Sequence, residues 1–266
     1  PKGAQEDTLE ALWPDRGGSC IRNRGKSWLE AQVDLSIIIP CYNNAPYLRG
    51  CLDSVLGQKT GYSFEAVVID DGSTDETPEI LKAYAANPRV RLLRQENQGH
   101  SGARNAGLSV CRGKYLLFHD SDDTLLPGSI QALLDCAFQN DADIAIGGYV
   151  CKDAAGNVPP GKTYSAGPVT DRQRIPGMTC GKAFRRRSWA KLQFPLGYWY
   201  EDSVISQILL PMARRIYAID APVFAYLLNP QGVSAASQGR PKSLEELFQP
   251  ILREQPVAKQ PSKQQT

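Results

Sequence analysis

The sequence contains little of what several common kinds of protein require. Only two of its 266 residues are histidines, His100 and His119, which excludes a zinc site built from several histidines. No uninterrupted apolar run approaches the ~20 residues that a membrane-spanning helix needs. The formal net charge is only +2, so the overall charge gives no indication of a nucleic-acid partner. With 42% hydrophobic residues, the chain can still bury a sizeable core.

The seven cysteines lack the spacing of a redox or metal motif, because none of them forms a C-x-x-C pair. Their number is odd, and several lie inside apolar stretches, as buried thiols do. A reducing compartment is therefore favoured over a disulfide framework, and we expect a cytoplasmic protein. The first ten residues contain no apolar segment of the kind found in signal peptides.

Two glycine-rich nucleotide-binding motifs are also missing. The segment 99–107 is rich in glycine, but a P-loop starting at Gly102 would need lysine where Leu108 stands. No G-x-G-x-x-G fingerprint occurs, which lowers the case for a dinucleotide-dependent oxidoreductase. Arg104 remains as a cation near a helix start, able to pair either with a phosphate or with Asp70 or Asp71.

From residue 35 onward, short β-branched apolar runs alternate with amphipathic segments. The runs predict strands at residues 35–39, 66–69, 90–93, 115–118 and 144–146. The amphipathic segments predict helices at residues 46–56, 73–84, 103–110 and 127–138, the second opened by a capping box of Ser73 and Glu76. This alternation predicts an α/β fold with a mainly parallel, Rossmann-like sheet flanked by helices. After residue 150 it breaks, and we predict a helix at 201–214 and two strand-like runs near Ile216 and Val223.

Acidic side chains cluster directly after two of the predicted strands. Asp70 and Asp71 follow the second strand, and Asp120, Asp122 and Asp123 follow the fourth. Because ligands of an open parallel sheet collect at the carboxyl ends of its strands, both clusters should face one crevice. Carboxylates this close repel one another unless a cation compensates, which points to a hard divalent ion acting with substrate phosphates. The alternative, that the clusters only form turns and cap helices, stays open.

Of four further polar side chains near these clusters, three are better explained by a structural role than by ligand binding. Asp75 and Asp123 are better explained as turn or helix-capping residues. His119 ends an apolar strand and is expected to pack in the core, with a hydrogen bond. His100 lies in a loop among glycines and is a better candidate for donating to a ligand.

Three aromatic residues, 198–200, directly precede Glu201 and Asp202 at a predicted helix start. Aromatic triplets are more often core than binding platform. Aromatic rings beside carboxylates are, however, suited to packing against the faces of a sugar, and this slightly favours a sugar-binding role for the segment.

Six segments of the chain, taken in order, resemble family 2 glycosyltransferases of the GT-A fold. They are SIIIPCYN at 36–43, VIDDGS at 68–73, NQGHSGARNAG at 97–107, FHDSDD at 118–123, GKAFRR at 181–186, and FP followed by YED within 194–202. The resemblance covers roughly residues 34 to 235. It implies a nucleotide-sugar donor, usually with UDP, and transfer to an acceptor hydroxyl with inversion at the anomeric carbon.

The resemblance also implies roles for residues of the donor side. Pro40 and Tyr42 would lie along the uracil, and Asp71 would accept a hydrogen bond from its N3–H. Asn97 and Arg104 would line the nucleotide and the diphosphate. These five positions are therefore expected to bind the donor.

The D-x-D motif of the family corresponds to Asp120, Ser121 and Asp122. Asp120 would face the ribose and the metal, and Asp122 would be the direct ligand of Mn²⁺ or Mg²⁺. Ser121, together with Asn43 of the first motif, is expected on the donor side.

The acceptor side is expected to supply the general base. Asp202 would take the proton of the acceptor hydroxyl, and Glu201 beside it would orient the acceptor or the base. Two departures from the family pattern stand out. Leu227 and Leu228 occupy the place where an arginine often contacts the diphosphate, and no histidine follows His119 to supply a third metal ligand.

These expectations divide the chain into four parts. Residues 1–33 form an extension with a short helix near Trp28, and residues 34–150 form the nucleotide-sugar half of the GT-A domain. Residues 151–240 form the smaller acceptor and base half, and residues 241–266 form a short helix with a disordered tail. Ser243 and Glu246 are suited to cap that helix.

The sequence therefore predicts an inverting, metal-dependent glycosyltransferase that uses a UDP-sugar in surface glycan or polysaccharide assembly. A glycan or lipid-linked glycan would be the acceptor, nucleic acid is not expected, and the protein could lie at the inner face of the cell membrane. The alternative is a non-catalytic nucleotide- or glycan-binding domain of a larger glycan-synthesis protein.

Overall fold

The computed structural model describes residues 32–153, 159–197 and 202–229, all within one compact unit of residues 1–229. Its strands are β1 (Val33–Cys41), β2 (Phe64–Asp70), β3 (Val90–Arg94), β4 (Gly113–Phe118), β5 (Thr124–Leu125), β6 (Ile144–Asp153), β7 (Gly167–Pro168), β8 (Lys182–Arg185) and β9 (Ile216–Leu228). Its α-helices are α1 (Ala45–Leu56), α2 (Thr77–Lys82), α3 (Gly99–Val110), α4 (Ser129–Gln139) and α5 (Leu210–Met212). Short 3₁₀ turns cover Arg172–Arg174 and Arg186–Trp189, and a π-helical turn covers Ile205–Leu209.

One mixed sheet joins these strands in the order β3-β2-β1-β4-β8-β6-β9-β5, with β7 also paired to β9. The first four strands are parallel, as are β6 and β9. Strand β8 runs antiparallel to both β4 and β6 and so links the two parallel groups. The α/β fold with a largely parallel central sheet is therefore confirmed.

The central strands are buried on both faces, which is why they appear in the sequence as unbroken apolar runs. In β1, Ile37 and Ile39 pack in one core cluster with Leu52 of α1. Ile38 faces the other way and packs in a second cluster with Ala103 of α3. Helices thus cover both faces of the sheet.

Three predicted elements differ from the structure. Strand β9 is continuous where we predicted two runs, because extra residues in β9 shift its register against β6 and Pro222 still pairs with Gly148. The helix predicted at 201–214 is a shorter helical run that ends at Met212 and is partly π-helical. The capping box does not form, since helix α2 begins at Thr77 and the Ser73 hydroxyl accepts from the Asn43 N–H instead.

The six cysteines between residues 41 and 180 are free, buried thiols, as expected; Cys20 lies outside the described residues. No helix in the described ranges is long and apolar enough to cross a membrane. The predicted helices near Trp28 and Ser243, the aromatic residues at 198–200 and the C-terminal tail also lie outside these ranges.

Candidate active site

The two acidic clusters lie at one edge of the sheet. Strands β2, β1 and β4 are adjacent and parallel, so their carboxyl ends point the same way. Asp71 directly follows β2, and Asp120 comes two residues after the end of β4. His100, at the start of α3, lies close enough for its charge to act on Asp71, Asp120 and Asp122. The edge therefore gathers the charged groups that the sequence placed after separate strands.

Asp71 is buried and held by the loop that leads into α3. Its Oδ1 accepts hydrogen bonds from Gln95 Nε2 at 2.7 Å and from the Gln98 N–H at 2.9 Å. Burial raises the pKa of Asp71, and these hydrogen bonds partly offset the effect. Asn97 belongs to the same loop, where its Oδ1 accepts from the Gly99 N–H at 3.2 Å. Asp71 and Asn97 thus lie close together at the end of β2.

Gly72 lets this loop approach the end of β2 closely. Its φ of +80° lies in the left-handed region, and a Cβ there would be 3.1 Å from the backbone nitrogen of Asn97. A side chain at residue 72 would therefore push the loop that contains Asn97 away from the end of β2.

The segment of residues 40–43 covers the end of β1 and the start of the loop that follows it. Pro40 is buried, and Tyr42 is 49% exposed and so accessible for stacking. Asn43 has a φ of +47°, and its Oδ1 accepts from the backbone N–H of Thr74 at 2.8 Å. The Asn43 side chain therefore braces the loop after β2. Its neighbour Asn44, which sequence reasoning missed, donates to the Ser121 hydroxyl at 2.7 Å.

Arg104 pairs with Asp120, at 2.9 Å between Nη2 and Oδ1. The prediction that Arg104 could pair with Asp70 or Asp71 is wrong, because Asp70 is paired with Arg94 at 3.0 Å. Arg104 is 4% exposed and Asp120 30% exposed. Burial alone would raise the pKa of Asp120, but the Arg104 guanidinium, together with His100 and the Cys180 hydrogen bond, holds that pKa below its usual value.

Among the described residues, no lysine or arginine forms an ion pair with Asp122 or Asp123. Asp122 is half-buried, and its Oδ2 accepts a long hydrogen bond of 3.4 Å from Asn229. Burial and the charge of Asp120 raise its pKa. Asp123 is buried, and the same two causes raise its pKa to about 9. Its Oδ1 accepts from the Leu227 N–H at 2.9 Å, so Asp123 ties the turn to β9.

The predicted turn or capping role is confirmed for Asp75, and the Asp123 N–H likewise closes its turn by donating to the Asp120 carbonyl at 3.1 Å. The Asp75 carboxylate accepts from the Thr77 N–H at 2.9 Å at the start of α2 and from the Ala45 N–H at 3.1 Å at the start of α1. It caps two helices at once.

The site has the chemistry of a divalent-cation site. Ligand atoms of Asp120, Asp123 and Cys180 all lie within 4.8 Å of one another, and Asp122 adjoins them in the chain. Burial first, and then the charge of Asp120, raise the pKa values of Asp122 and Asp123. An oxygen-rich, electronegative cluster fits Mg²⁺ or Mn²⁺, which would relieve the repulsion.

Asp202 lies beside Gly177, at the start of the segment that leads to Cys180. It occupies the turn before the helical run, where its carbonyl accepts from the Ile205 N–H at 2.9 Å. Its charge acts on the buried Lys182 of β8. Two residues before Lys182, the Cys180 thiol donates to Asp120 Oδ2 at 3.4 Å. Glu201 lies outside the described residues.

His119 packs in the core, as predicted, with its ring edge-on to Phe224 at 6.5 Å between centroids. Burial lowers its pKa to about 4, and its Nε2 has no hydrogen-bond partner among the described residues. Sequence reasoning also missed Cys180, Lys182 and Asn229 as neighbours of the carboxylates. Only Lys182 lay within a segment already singled out, and its burial could not be predicted from its charge.

Together, the sheet and its acidic edge define a glycosyltransferase of the GT-A fold. Residues 36–192 match the family described as Glycosyl transferase family 2, and the chain belongs to that family.

Its relatives include the uncharacterized glycosyltransferase YibD of Escherichia coli (strain K12), 33% identical over 79% of this chain and 66% of that protein. The uncharacterized glycosyltransferase EpsJ of Bacillus subtilis (strain 168) is 39% identical over 75% of this chain and 62% of that protein. The chondroitin synthase of Escherichia coli is 43% identical over 42% of this chain and 16% of that protein. The chain spans less than two thirds of the length of each of these relatives.

Among solved structures, S. aureus TarS in complex with UDP-GlcNAc superposes with a TM-score of 0.68 at 22% identity. The match covers 81% of this chain and 63% of the TarS chain. At this identity the likeness shows the fold alone.

Proposed function

We propose that this chain is an inverting, metal-dependent glycosyltransferase that moves a sugar from a UDP-sugar to an acceptor hydroxyl. The observation that carries the proposal is the acidic cluster at the carboxyl edge of the parallel sheet. It contacts Cys180, whose segment begins at Gly177 beside the Asp202 carbonyl. The family membership and the UDP-GlcNAc bound to TarS support this choice of donor.

The donor nucleotide would bind at the ends of β1 and β2. Tyr42 is exposed where a uracil could stack, above the buried Pro40. Asp71 would accept from the uracil N3–H, since its burial strengthens such a hydrogen bond. Asn97 would line the nucleotide, and Arg104 would act on the diphosphate while keeping Asp120 ionised.

Asp122 and Asp120 would hold Mn²⁺ or Mg²⁺. When bound, the ion supplies a Lewis acid for the negative charge that develops on the β-phosphate of the leaving UDP. Asp122 is suited to a ligand role because it is half-buried and only weakly hydrogen-bonded, whereas one oxygen of Asp123 already accepts from Leu227. Asn229 reaches Asp122 from the end of β9, beside the leucines that replace the expected arginine.

Asp202 would be the general base. A sugar hydroxyl is a poor nucleophile, and a carboxylate within hydrogen-bond reach can take its proton as the new bond forms. Asp202 lies just before a helical run, whose dipole favours the ionised carboxylate that a base requires. Glu201 would orient the acceptor or Asp202. A base and a leaving group on opposite faces of the sugar give a single displacement and hence inversion.

The acceptor would be a glycan or a lipid-linked glycan in surface polysaccharide assembly. The printed names of relatives, which include chondroitin synthases and a hyaluronan synthase, support a role in polysaccharide synthesis. A cytoplasmic position at the inner face of the membrane would fit a lipid-linked acceptor.

A non-catalytic nucleotide-binding domain is the second candidate, favoured by Leu227 and Leu228 at the position of a diphosphate-binding arginine. One experiment separates the two. Thermal unfolding is measured with a panel of UDP-sugars, with and without Mn²⁺, and UDP release is measured under the same conditions. We expect Mn²⁺-dependent stabilisation by UDP together with Mn²⁺-dependent UDP release. Stabilisation without any release contradicts the enzyme and favours the binding domain.

A further inference from the structure

An open cavity of about 380 Å³ lies at the edge of the sheet opposite the acidic cluster. Strand β8 runs antiparallel to β4, and its last residue, Arg185, pairs with Tyr115 near the start of β4. The Arg185 N–H donates to the carbonyl of Asp143, just before β6, and the Asp143 N–H donates to the carbonyl of Arg215, just before β9. The acidic cluster follows the other end of β4, about 20 Å away along the strand. A ligand in this cavity would therefore leave the active-site edge free.

Arginine side chains supply most of the charge of the lining. Arg187, Arg214 and Arg215 line the cavity together with Ser188, and among the described lining residues only Asp143 is acidic. Arg187 is 68% exposed, and Arg215 and Arg214 are exposed as well. These guanidinium groups are therefore accessible to a ligand that enters from solvent.

The Asp143 carboxylate is already used by groups of the lining itself. Its Oδ2 accepts from the backbone N–H groups of Arg214 at 2.9 Å and Arg215 at 3.1 Å, and its Oδ1 accepts from Arg187 Nη2 at 3.3 Å. Asp141, outside the lining, pairs with Arg215. The Arg214 guanidinium forms no ion pair with a described residue. The positive charge of the lining thus exceeds its negative charge, which favours an anionic ligand.

The rest of the lining is apolar. Its members are Leu209, Met212 and Ala213, at the end of the helical run that follows Asp202. Met212 is 68% exposed, so its side chain is accessible beside the arginines. A ligand that carries both an anionic group and a hydrocarbon chain would cover both parts of this surface.

We propose that this cavity binds the phosphate group of an anionic phospholipid at a membrane surface. The arginines of the lining would hold the phosphate, because a guanidinium donates two parallel hydrogen bonds to phosphate oxygens. Met212 would lie against the acyl chains. Each arginine near an anionic leaflet strengthens binding about fivefold, so the attachment is measurable and reversible. The inference goes beyond the proposed transfer reaction, because it concerns the opposite edge of the sheet and is tested without activity.

The test is cosedimentation of the full chain with vesicles of phosphatidylcholine, alone or mixed with phosphatidylglycerol. We expect wild type to bind the mixed vesicles only, and Arg214→Gln to bind them about fivefold more weakly. Arg214→Lys keeps the charge and should retain most of the affinity. The matched control is Arg49→Gln, which removes an exposed arginine of α1 outside the lining and should bind as wild type does. Arg214 and Met212 are exposed, so variants at both positions should fold, which thermal unfolding checks.

Glycerol 3-phosphate, followed by NMR, is the soluble probe that separates a lipid from a free phosphate. We expect Met212→Ser to weaken binding to the mixed vesicles and to leave binding of glycerol 3-phosphate unchanged. If glycerol 3-phosphate binds wild type more tightly than Arg214→Gln while vesicles do not bind, the ligand is a soluble phosphate and the lipid assignment is overturned.

Two results overturn the inference outright. One is equal vesicle binding by wild type, Arg214→Gln and Arg49→Gln, and the other is equal binding to both kinds of vesicle. UDP affinity in Mn²⁺ should be the same in Arg214→Gln and wild type, because the cavity and the donor site lie at opposite edges. A wild type that binds vesicles through Arg214 but neither binds UDP nor transfers sugar contradicts the proposed function alone.

Discussion

Asp120 has a cation on one side and other acidic groups on the other. Arg104 lies 2.9 Å from its Oδ1, and Cys180 lies 3.4 Å from its Oδ2. Arg104 favours the ionised form of Asp120. The negative charge of Asp120 then disfavours ionisation of Asp122 and Asp123, whose pKa values are raised by burial and by this charge. One carboxylate is thus always charged at neutral pH, and it makes the site attractive to a cation.

Arg104→Met should weaken both the fold and donor binding. The buried guanidinium is lost and Asp120 is left beside two carboxylates, which costs about 2 kcal/mol in unfolding free energy, less than for a fully buried pair because Asp120 is partly exposed. UDP affinity in Mn²⁺ should fall at least tenfold. Urea unfolding and calorimetric titration measure the two effects. Arg187→Met, which removes an arginine 68% exposed, should change neither; equal effects would contradict the account.

His119 should make stability depend on pH. Its pKa is about 4 in the folded protein and about 6.5 when unfolded, so the unfolded chain binds more protons between these values. The contribution of His119 is therefore complete above pH 6.5 and is lost as the pH falls toward 4. From pH 7.5 to 5 we expect wild type to lose about 2 kcal/mol more unfolding free energy than His119→Phe. Parallel curves for the two proteins would show that His119 is not buried as a neutral ring.

The partner of Arg104 could not be chosen from the sequence alone. Asp70, Asp71 and Asp120 all lie at the predicted carboxyl edge. Which of them pairs with Arg104 depends on the direction in which the Arg104 side chain extends from α3 across the sheet. In the structure Arg94 already neutralises Asp70, and the Asp71 carboxylate accepts from neutral donors. Arg104 pairs instead with Asp120.

Helix α3 brings the glycine-rich segment against the sheet, and Gly107 is where the two come closest. A Cβ at Gly107 would lie 2.5 Å from Ile38 Cγ2 and 3.0 Å from Ile69 Cδ1. The absence of a side chain therefore sets the distance between α3 and strands β1 and β2. This spacing also places Arg104, one helical turn earlier, over the acidic edge.

Gly107→Ala should destabilise the protein by about 1–3 kcal/mol through overpacking. Gly50→Ala is the matched control, because Gly50 is also inside a helix but has nothing within 4 Å of its would-be Cβ. That change should be neutral or stabilise by up to about 1 kcal/mol. Denaturant unfolding of both variants checks the pair, and a stabilising Gly107→Ala would contradict the packing described.

Elements with unbroken apolar runs were predictable, and those that bury charge were not. Strand β8 lies in the centre of the sheet, yet it begins with Lys182 and ends with Arg185, which are 2% and 7% exposed. Their hydrogen bonds to carbonyl oxygens, such as that from Arg185 Nε to Ala142 at 3.1 Å, make this burial possible. A polar four-residue segment gives no sign of such a position. In β9, Pro222 divided one strand into two apparent runs.

At the scale of the whole molecule, one sheet unites the two halves of the site. The parallel strands β1, β2 and β4 lead into the residues proposed to bind the donor. Strand β8 follows the segment next to Asp202, and the residue after β9, Asn229, contacts Asp122. The sequence predicted the donor edge from spacing and the remaining roles from a family resemblance. The links between the halves, through Cys180 and Asn229, depend on strand order and could not be predicted from local pattern.

The most direct test of this account measures transfer and UDP binding side by side in wild type, Asp202→Asn and Asp220→Asn. Asp220 is an exposed carboxylate on β9 and has no role in the proposed site. We expect Asp202→Asn to lose at least about 100-fold in kcat, as for removal of a general base, with UDP affinity in Mn²⁺ within threefold of wild type. Asp220→Asn should match wild type in both. Full transfer activity in Asp202→Asn would contradict the account.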